Sequence, residues 1–593
     1  MKKTKKHQWN LGLLYASEHD PRIESDLKAI EKKIGAFARR YDTKGKNYLH
    51  DGNELMNALN DYESILALAG GKPLYYFHYR QHMNSEDKQA NQQVSLLSNR
   101  LTNAINQMQF FVISIGKISK NKQSELLASE KLGHFKVFLQ RTFGDAAHDL
   151  SEVEEKIMNL KRLPAHSLWV QGNEKLLGSK SVLWKGKRMP LTEAHNLVTS
   201  LEKASERQAL GSLINKELKE TAVFAESEIN AIVTDKKIDD GLRGYKNAYD
   251  STIQSYRNDP KVVLGLVDVV TNNFSIPQRY YRLKAKILGK KKLSYEDRAA
   301  KTGNIDKAFT IEDCIKTVSE TFGDIDPKFA SILETYLKNG QIDWKPRQGK
   351  HGGGYCSSLY GNPTFVLLNH IDDLNSFKTF AHEMGHAFHA ELSEQQGPIY
   401  SDLSMSLAET ASTLFEQIAF EAIFEKLSDK EKIVALEQKL NSEVATIFRQ
   451  IACFNFEKDI HEGVRTKGFL SKEELAVLHN KNMQAYLGPV FKIDADTGYA
   501  FVSWPHLRYF FYVYSYAYGM LVSKALLRRY KQDKSFWAKI EQFLSAGGKD
   551  SPENILREIG IDVSKPSFWK EGLKEIEDDI ATLEKLTKRQ GKK

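Results

Sequence analysis

The chain has 593 residues, 41% of them hydrophobic and 27% charged, which is enough for a large core or several domains. It holds no apolar run of about 18 residues, so a water-soluble protein is expected and a membrane is not a partner. The net charge of +9 comes partly from lysine-rich ends, Lys2 to Lys6 and Lys585 to Lys593, read as solvated termini. No module of basic residues interleaved with aromatics appears, so nucleic acid is not a partner either.

Met1 to Lys6 is basic, but His7, Gln8, Trp9 and Asn10 stand where an export signal needs its apolar core, and no such signal is expected. Cys314, Cys356 and Cys453 are odd in number and far apart, with no metal-binding spacing. A reducing, cytoplasmic setting fits.

From Pro21 to about residue 120 the pattern is helical: Ile23, Leu27, Ile30 and Ile34 recur at three and four, then Leu55, Leu59, Ile65 and Leu68. Gly70-Gly71-Lys72-Pro73 marks a break, and one long helix is expected over residues 86–113. Helices continue to about residue 210, broken near Leu163-Pro164, and further ones cover 262–274, 277–288 and a segment starting near Thr310. Then comes a glycine-rich stretch, Gly352-Gly353-Gly354-Tyr355, followed by Phe365-Val366-Leu367-Leu368-Asn369, which is rich in strand formers. A strand there could offer an edge to an extended peptide. A phosphate-binding use of the glycines is disfavoured, because neither Lys-Ser/Thr nor a helix follows.

Residues 377–389 carry Phe377, Phe380, Ala381, Met384 and Phe388 at helical spacing, with Asn375 or Ser376 as the expected N-cap. On this helix His382 and His386 lie one turn apart on one face. Two such imidazoles can grip one Zn²⁺, and Glu383 between them can act on a water as general base. A catalytic zinc wants a third protein ligand. A second helix with the stripe Leu407, Ala411, Leu414, Ile418 and Ala422 places Glu409 and Glu416 seven apart on one face. Glu409 is assigned to the metal, and Glu416 to orienting a ligand histidine.

Downstream, Pro505 suits a helix start, and His506, Tyr509, Tyr512 or Val513, and Tyr516 then share one side. So many tyrosine hydroxyls exceed what a dry core can satisfy, and His or Tyr donors would stabilise an oxyanion. The remainder to about residue 587 is helical.

The run His382-Glu383-Met384-Gly385-His386 through His389, followed by Ala408-Glu409 through Glu416, resembles the thimet-oligopeptidase family (M3) of zinc metallopeptidases, and within it the oligoendopeptidase F group. The resemblance implies a mostly α fold. Its zincin-like (gluzincin) catalytic domain, residues 201–593 with a small β-sheet, would be covered by a helical N-terminal lobe, residues 1–200, enclosing a deep cleft. It implies zinc held by His382, His386 and Glu409, and Glu383 as general base. It also implies oxyanion stabilisation by His506 with Tyr512 or Tyr516, although Gly519 stands where the mammalian-type pattern has another tyrosine. It favours peptide pairing along residues 365–369, and Gly353, Gly354, Tyr355, Phe365, Leu367, Asn369, His389 and Tyr509 are the expected substrate-binding residues. The expected activity is endoproteolysis of short oligopeptides. The competing readings are a related zinc exopeptidase, either a dipeptidyl carboxypeptidase or a metallocarboxypeptidase, and a silent peptide-binding protein.

Overall fold

The structure, a computed structural model, describes residues 7–590 other than Gly70 and Asp402. The basic residues 1–6, the last three positions 591–593 and the Gly70 part of the expected break therefore lie outside the described residues. Helices dominate, and among the described residues no strand exceeds four residues and no helix is long and apolar enough to cross a membrane. The chain divides into two units, one of residues 1–149, 307–423 and 534–555, the other of 150–306, 424–533 and 556–593.

That division does not follow the expected split at residue 200, and the core of the first unit gives the reason. Its N-terminal helices start and bury as their sequence directs. Asp20 caps Pro21–Tyr41, which turns Ile23, Leu27, Ile30, Ile34 and Phe37 inward. These helices share their core with a strand far along the chain. Trp9 donates its indole N–H to the Val366 carbonyl at 2.8 Å, and the rings of Trp9 and Tyr79 lie 5.6 and 5.0 Å from Phe365. The expected helix over residues 86–113 is two, Lys88–Asn106 and Gln109–Gly116.

The strand Phe365–Leu367 is confirmed, but its expected role as an open edge is not. It is the middle of three strands, parallel to Ile342–Asp343 on one side and antiparallel to Tyr355–Ser357 on the other. Both of its hydrogen-bonding edges are thus occupied, and Phe365, Val366 and Leu367 are fully buried. No peptide can add there; an outer edge belongs to Tyr355–Ser357.

In the second unit the helix Ala204–Leu242 runs 39 residues. Three local expectations are corrected. Residues 181–190 form a hairpin, Ser181–Trp184 with Lys187–Pro190, closed by Lys185 and Gly186 at φ +49° and +83°, the left-handed pair a two-residue turn needs. Pro164 does not break its helix, because a π-turn over Leu163–Ser167 carries the chain past its missing N–H. The expected helix from Pro505 is also interrupted. Pro505–Arg508 is one 3₁₀ turn, Phe510 and Phe511 are left-handed, and the α-helix begins only at Tyr514.

Candidate metal centre

The helix Leu374–Ser393 begins where Asp373 accepts the Ser376 amide at 2.8 Å, so the N-cap is Asp373 rather than Asn375 or Ser376. Phe377, Phe380, Ala381, Met384 and Phe388 are buried as their spacing requires, leaving His382 and His386 on the opposite, partly open side. The helix Met405–Phe424 crosses it at Gly385. A Cβ on Gly385 would lie 2.7 Å from Ser412 Cα and 3.1 Å from both the Ala411 carbonyl oxygen and Phe415 Cβ. Only glycine allows two backbones so near.

That crossing delivers Glu409 to the histidines. Its Oε2 is 3.4 Å from His382 Nε2 and 4.0 Å from His386 Nε2, and one ligand atom from each of the three lies within 4.8 Å of the others. On the far side His382 Nδ1 donates to Glu416 Oε2 at 3.1 Å, which leaves Nε2 free as a ligand atom. Lys378 Nζ holds the other Glu416 oxygen at 2.9 Å. Two imidazole nitrogens and one carboxylate oxygen, with a carboxylate behind the first imidazole, are a donor set that fits zinc.

The charges are strongly interdependent. Burial opposes charge on His382, but bonds to Glu409 and Glu416 outweigh it and push the imidazole up to about 10. His386 is pushed down to about 4 by burial and by His382. Burial lifts the Glu383 carboxyl to about 7, aided by Glu409 and opposed by His382 and the Cys356 amide. Burial alone would raise Glu416, yet Lys378 and His382 hold it down at about 2.

A cleft of about 1180 Å³ opens onto His382, Glu383, His386 and Glu409. Of the expected peptide-binding residues, Gly354 and Tyr355 line it. Gly354 stands where a Cβ would meet Thr379 Cγ2 at 2.6 Å and Glu383 Oε1 at 3.5 Å, so its lack of a side chain brings the main chain against Glu383. The Tyr355 hydroxyl bonds His82 Nδ1 at 2.6 Å. Asn369 is turned to a structural task, donating to the carbonyls of His351 and Gly353 at 2.9 and 2.7 Å and so fixing the glycine-rich turn. Phe365 and Leu367, as strand-core residues, are unavailable to substrate. His389 is also buried, its ring stacked 6.4 Å from Phe543.

The tyrosine segment belongs to the second unit. There the Tyr512 hydroxyl bonds His506 Nδ1, and the Tyr512 and Tyr516 rings are 5.8 Å apart. Burial, with Arg449 nearby, pushes His506 down to about 4. Tyr509 is 61% exposed, its ring 6.2 Å from that of Tyr512.

Two contributors were missed at the sequence level. Lys378 stands one turn before His382, a helical spacing that could have marked it. The Cys356 amide, which faces Glu383, has no side-chain signature.

A family model described as Peptidase family M3 matches residues 206–575. The chain is 24% identical to the oligoendopeptidase F homolog of Lactococcus lactis subsp. lactis over 99% of its own length and 98% of that protein's. It is also 24% identical to oligopeptidase PepF of Bacillus subtilis, over 98% of this chain and 87% of that one. Among solved structures, oligoendopeptidase-F from Enterococcus faecium has a TM-score of 0.69 at 17% identity, covering 96% of this chain and 100% of that one. A chain from Chlamydophila abortus reaches 0.88 at 20% identity, with 99% of each covered.

Proposed function

The chain belongs to peptidase family M3, and on that premise we propose that it is a zinc metalloendopeptidase that cleaves internal bonds of short oligopeptides. Membership makes it a metallopeptidase of oligopeptides. The finer reading rests on one observation, the convergence of His382, His386 and Glu409 from two crossing helices beside Glu383, on a cleft.

When bound to those three side chains, zinc supplies Lewis-acid polarisation of the scissile carbonyl and makes water acidic enough to attack at neutral pH. The protein's own groups do the rest. Glu383 takes the proton of the attacking water and delivers it to the leaving amine. Glu416 and Lys378 hold the His382 ring in orientation. His506, with Tyr512 or Tyr516, donates to the oxyanion as carbonyl charge develops, a role carried by the family resemblance. The outer edge of Tyr355–Ser357 aligns the peptide backbone in place of the buried central strand. Three free cysteines, Cys314, Cys356 and Cys453, support a reducing, cytoplasmic setting.

The test is metal analysis of the purified protein, with mass spectrometry of cut sites in peptides with blocked and free termini. Cleavage inside blocked peptides, with zinc near one equivalent, is expected. Cutting confined to free termini would make the protein an exopeptidase. Glu383→Gln should lose about 10²- to 10⁴-fold in kcat while retaining zinc.

A further inference from the structure

We propose that Glu457 is a positioning residue for the oxyanion donors: with Thr252 it clamps the Phe510–Phe511 peptide so that Tyr512 meets His506. The proposal deepens the reading above, since it takes from it the role of His506 and Tyr512.

Phe510 and Phe511 stand at φ +50° and +57°, consecutive left-handed residues with a bulky side chain on each and no glycine to ease them. Such a backbone persists only where its surroundings over-determine it. Here one peptide unit is gripped from both ends. The carbonyl of Phe510 accepts the Thr252 hydroxyl at 3.0 Å, and the adjoining N–H of Phe511 donates to Glu457 Oε1 at 2.9 Å. The two side chains come from different helices, Asp250–Ser255 and Gln450–Lys467. The Phe511 ring is fully buried, with ring centres of His461, Phe454 and Tyr249 at 4.8, 5.3 and 5.9 Å. The next residue is Tyr512, whose hydroxyl bonds His506 Nδ1. A slack elbow at 510–511 would swing that hydroxyl off the imidazole.

Glu457 is an unusual residue to bury for packing alone. It is 1% exposed, its Oε2 has no hydrogen-bond partner, and among the described residues no cation pairs with it. A buried carboxyl group is costly unless its bonds are made. The bond it makes is to the strained peptide. Burial pushes the carboxyl up to about 8, so at neutral pH it is mainly the neutral acid, of which glutamine is a close isostere.

The test compares wild type, Glu457→Gln, Glu457→Met and Thr252→Val by kcat and KM on an internally quenched peptide, alongside metal content, thermal melting and NMR titration of His506. Glu457→Gln keeps the acceptor and should stay within about twofold of wild type. Glu457→Met and Thr252→Val should lower kcat about tenfold or more, with KM within about twofold and zinc unchanged, because the donors are misplaced rather than removed. In Glu457→Met the His506 imidazole, with Nδ1 released from the Tyr512 hydroxyl, should titrate differently from wild type, and in Glu457→Gln as in wild type. A folded, zinc-loaded Glu457→Met with wild-type kcat and wild-type His506 titration overturns the clamp. Should that variant fail to fold, a Thr252→Val protein with unchanged kcat and His506 titration overturns it instead. A wild-type protein without peptidase activity would sink the functional reading, and the His506 titration would still decide the clamp.

Discussion

Nδ1 of His382 lies 3.1 Å from Oε2 of Glu416, on the side of the ring away from Glu409. The bond fixes which nitrogen carries the proton and so which one is left to a metal. Lys378, 2.9 Å from the other oxygen, keeps the Glu416 carboxylate ionised and in place. Glu416→Ala should therefore weaken zinc binding about 10- to 100-fold, measured by competition with a chromogenic chelator. Glu416→Gln retains an acceptor for Nδ1 and should fall between the two. An alanine variant with wild-type zinc affinity would remove Glu416 from the design of the centre.

Gly385 is the point on which the centre closes. Alanine there would drive its Cβ to 2.7 Å from Ser412 Cα and 3.1 Å from Phe415 Cβ, atoms that can yield only if their whole helix moves. The helices must separate, and Glu409 rides on the one displaced. Gly385→Ala should cost about 1 to 3 kcal/mol of stability in chemical denaturation. It should also lower the zinc bound per chain, although no ligand is altered.

The convergence of His382, His386 and Glu409 was legible because its information is local. His382 and His386 share a face by helical period, and Glu409 and Glu416 by a seven-residue step. What escaped depends on contacts distant in sequence or on rare backbone. Nothing within residues 365–369 says that Ile342–Asp343 pairs along one side and that Trp9 bonds the Val366 carbonyl. A buried middle strand and a half-exposed edge strand can be composed alike. Phe510 and Phe511 carry none of the usual marks of a left-handed turn, and their conformation is imposed by Thr252 and Glu457. The hairpin at Lys185-Gly186 carried half a mark, a glycine just after the short apolar run Val182-Leu183-Trp184, but its partner strand Lys187–Pro190 holds no strand formers.

The burial of Phe365 separates scaffold from substrate contact. Its ring packs with Trp9 and Tyr79 and is fully out of water. Phe365→Ala should cost about 3 to 5 kcal/mol in chemical denaturation. The fraction still folded and zinc-loaded should show nearly unchanged KM. A rise in KM without loss of stability would return the strand to the peptide-binding role expected from its sequence.

Glu457 gives the second unit a pH dependence whose sign can be worked out. Burial raises its folded-state pKa from 4.5 to about 8, opposed by the bond from the Phe511 amide. Below about pH 4.5 the group is protonated folded or unfolded and contributes no penalty. Between there and about pH 8 the unfolded chain releases the proton and the folded chain keeps it, so stability falls as pH rises, by at most about 1.4 kcal/mol per unit. Glutamine accepts the same amide and has no proton to lose. Glu457→Gln should therefore flatten this part of the stability profile, matching wild type near pH 4.5 and exceeding it increasingly toward pH 8. Urea denaturation at pH 5, 6.5 and 8 reads the difference, and parallel profiles for the two proteins would mean that Glu457 is already ionised in the fold.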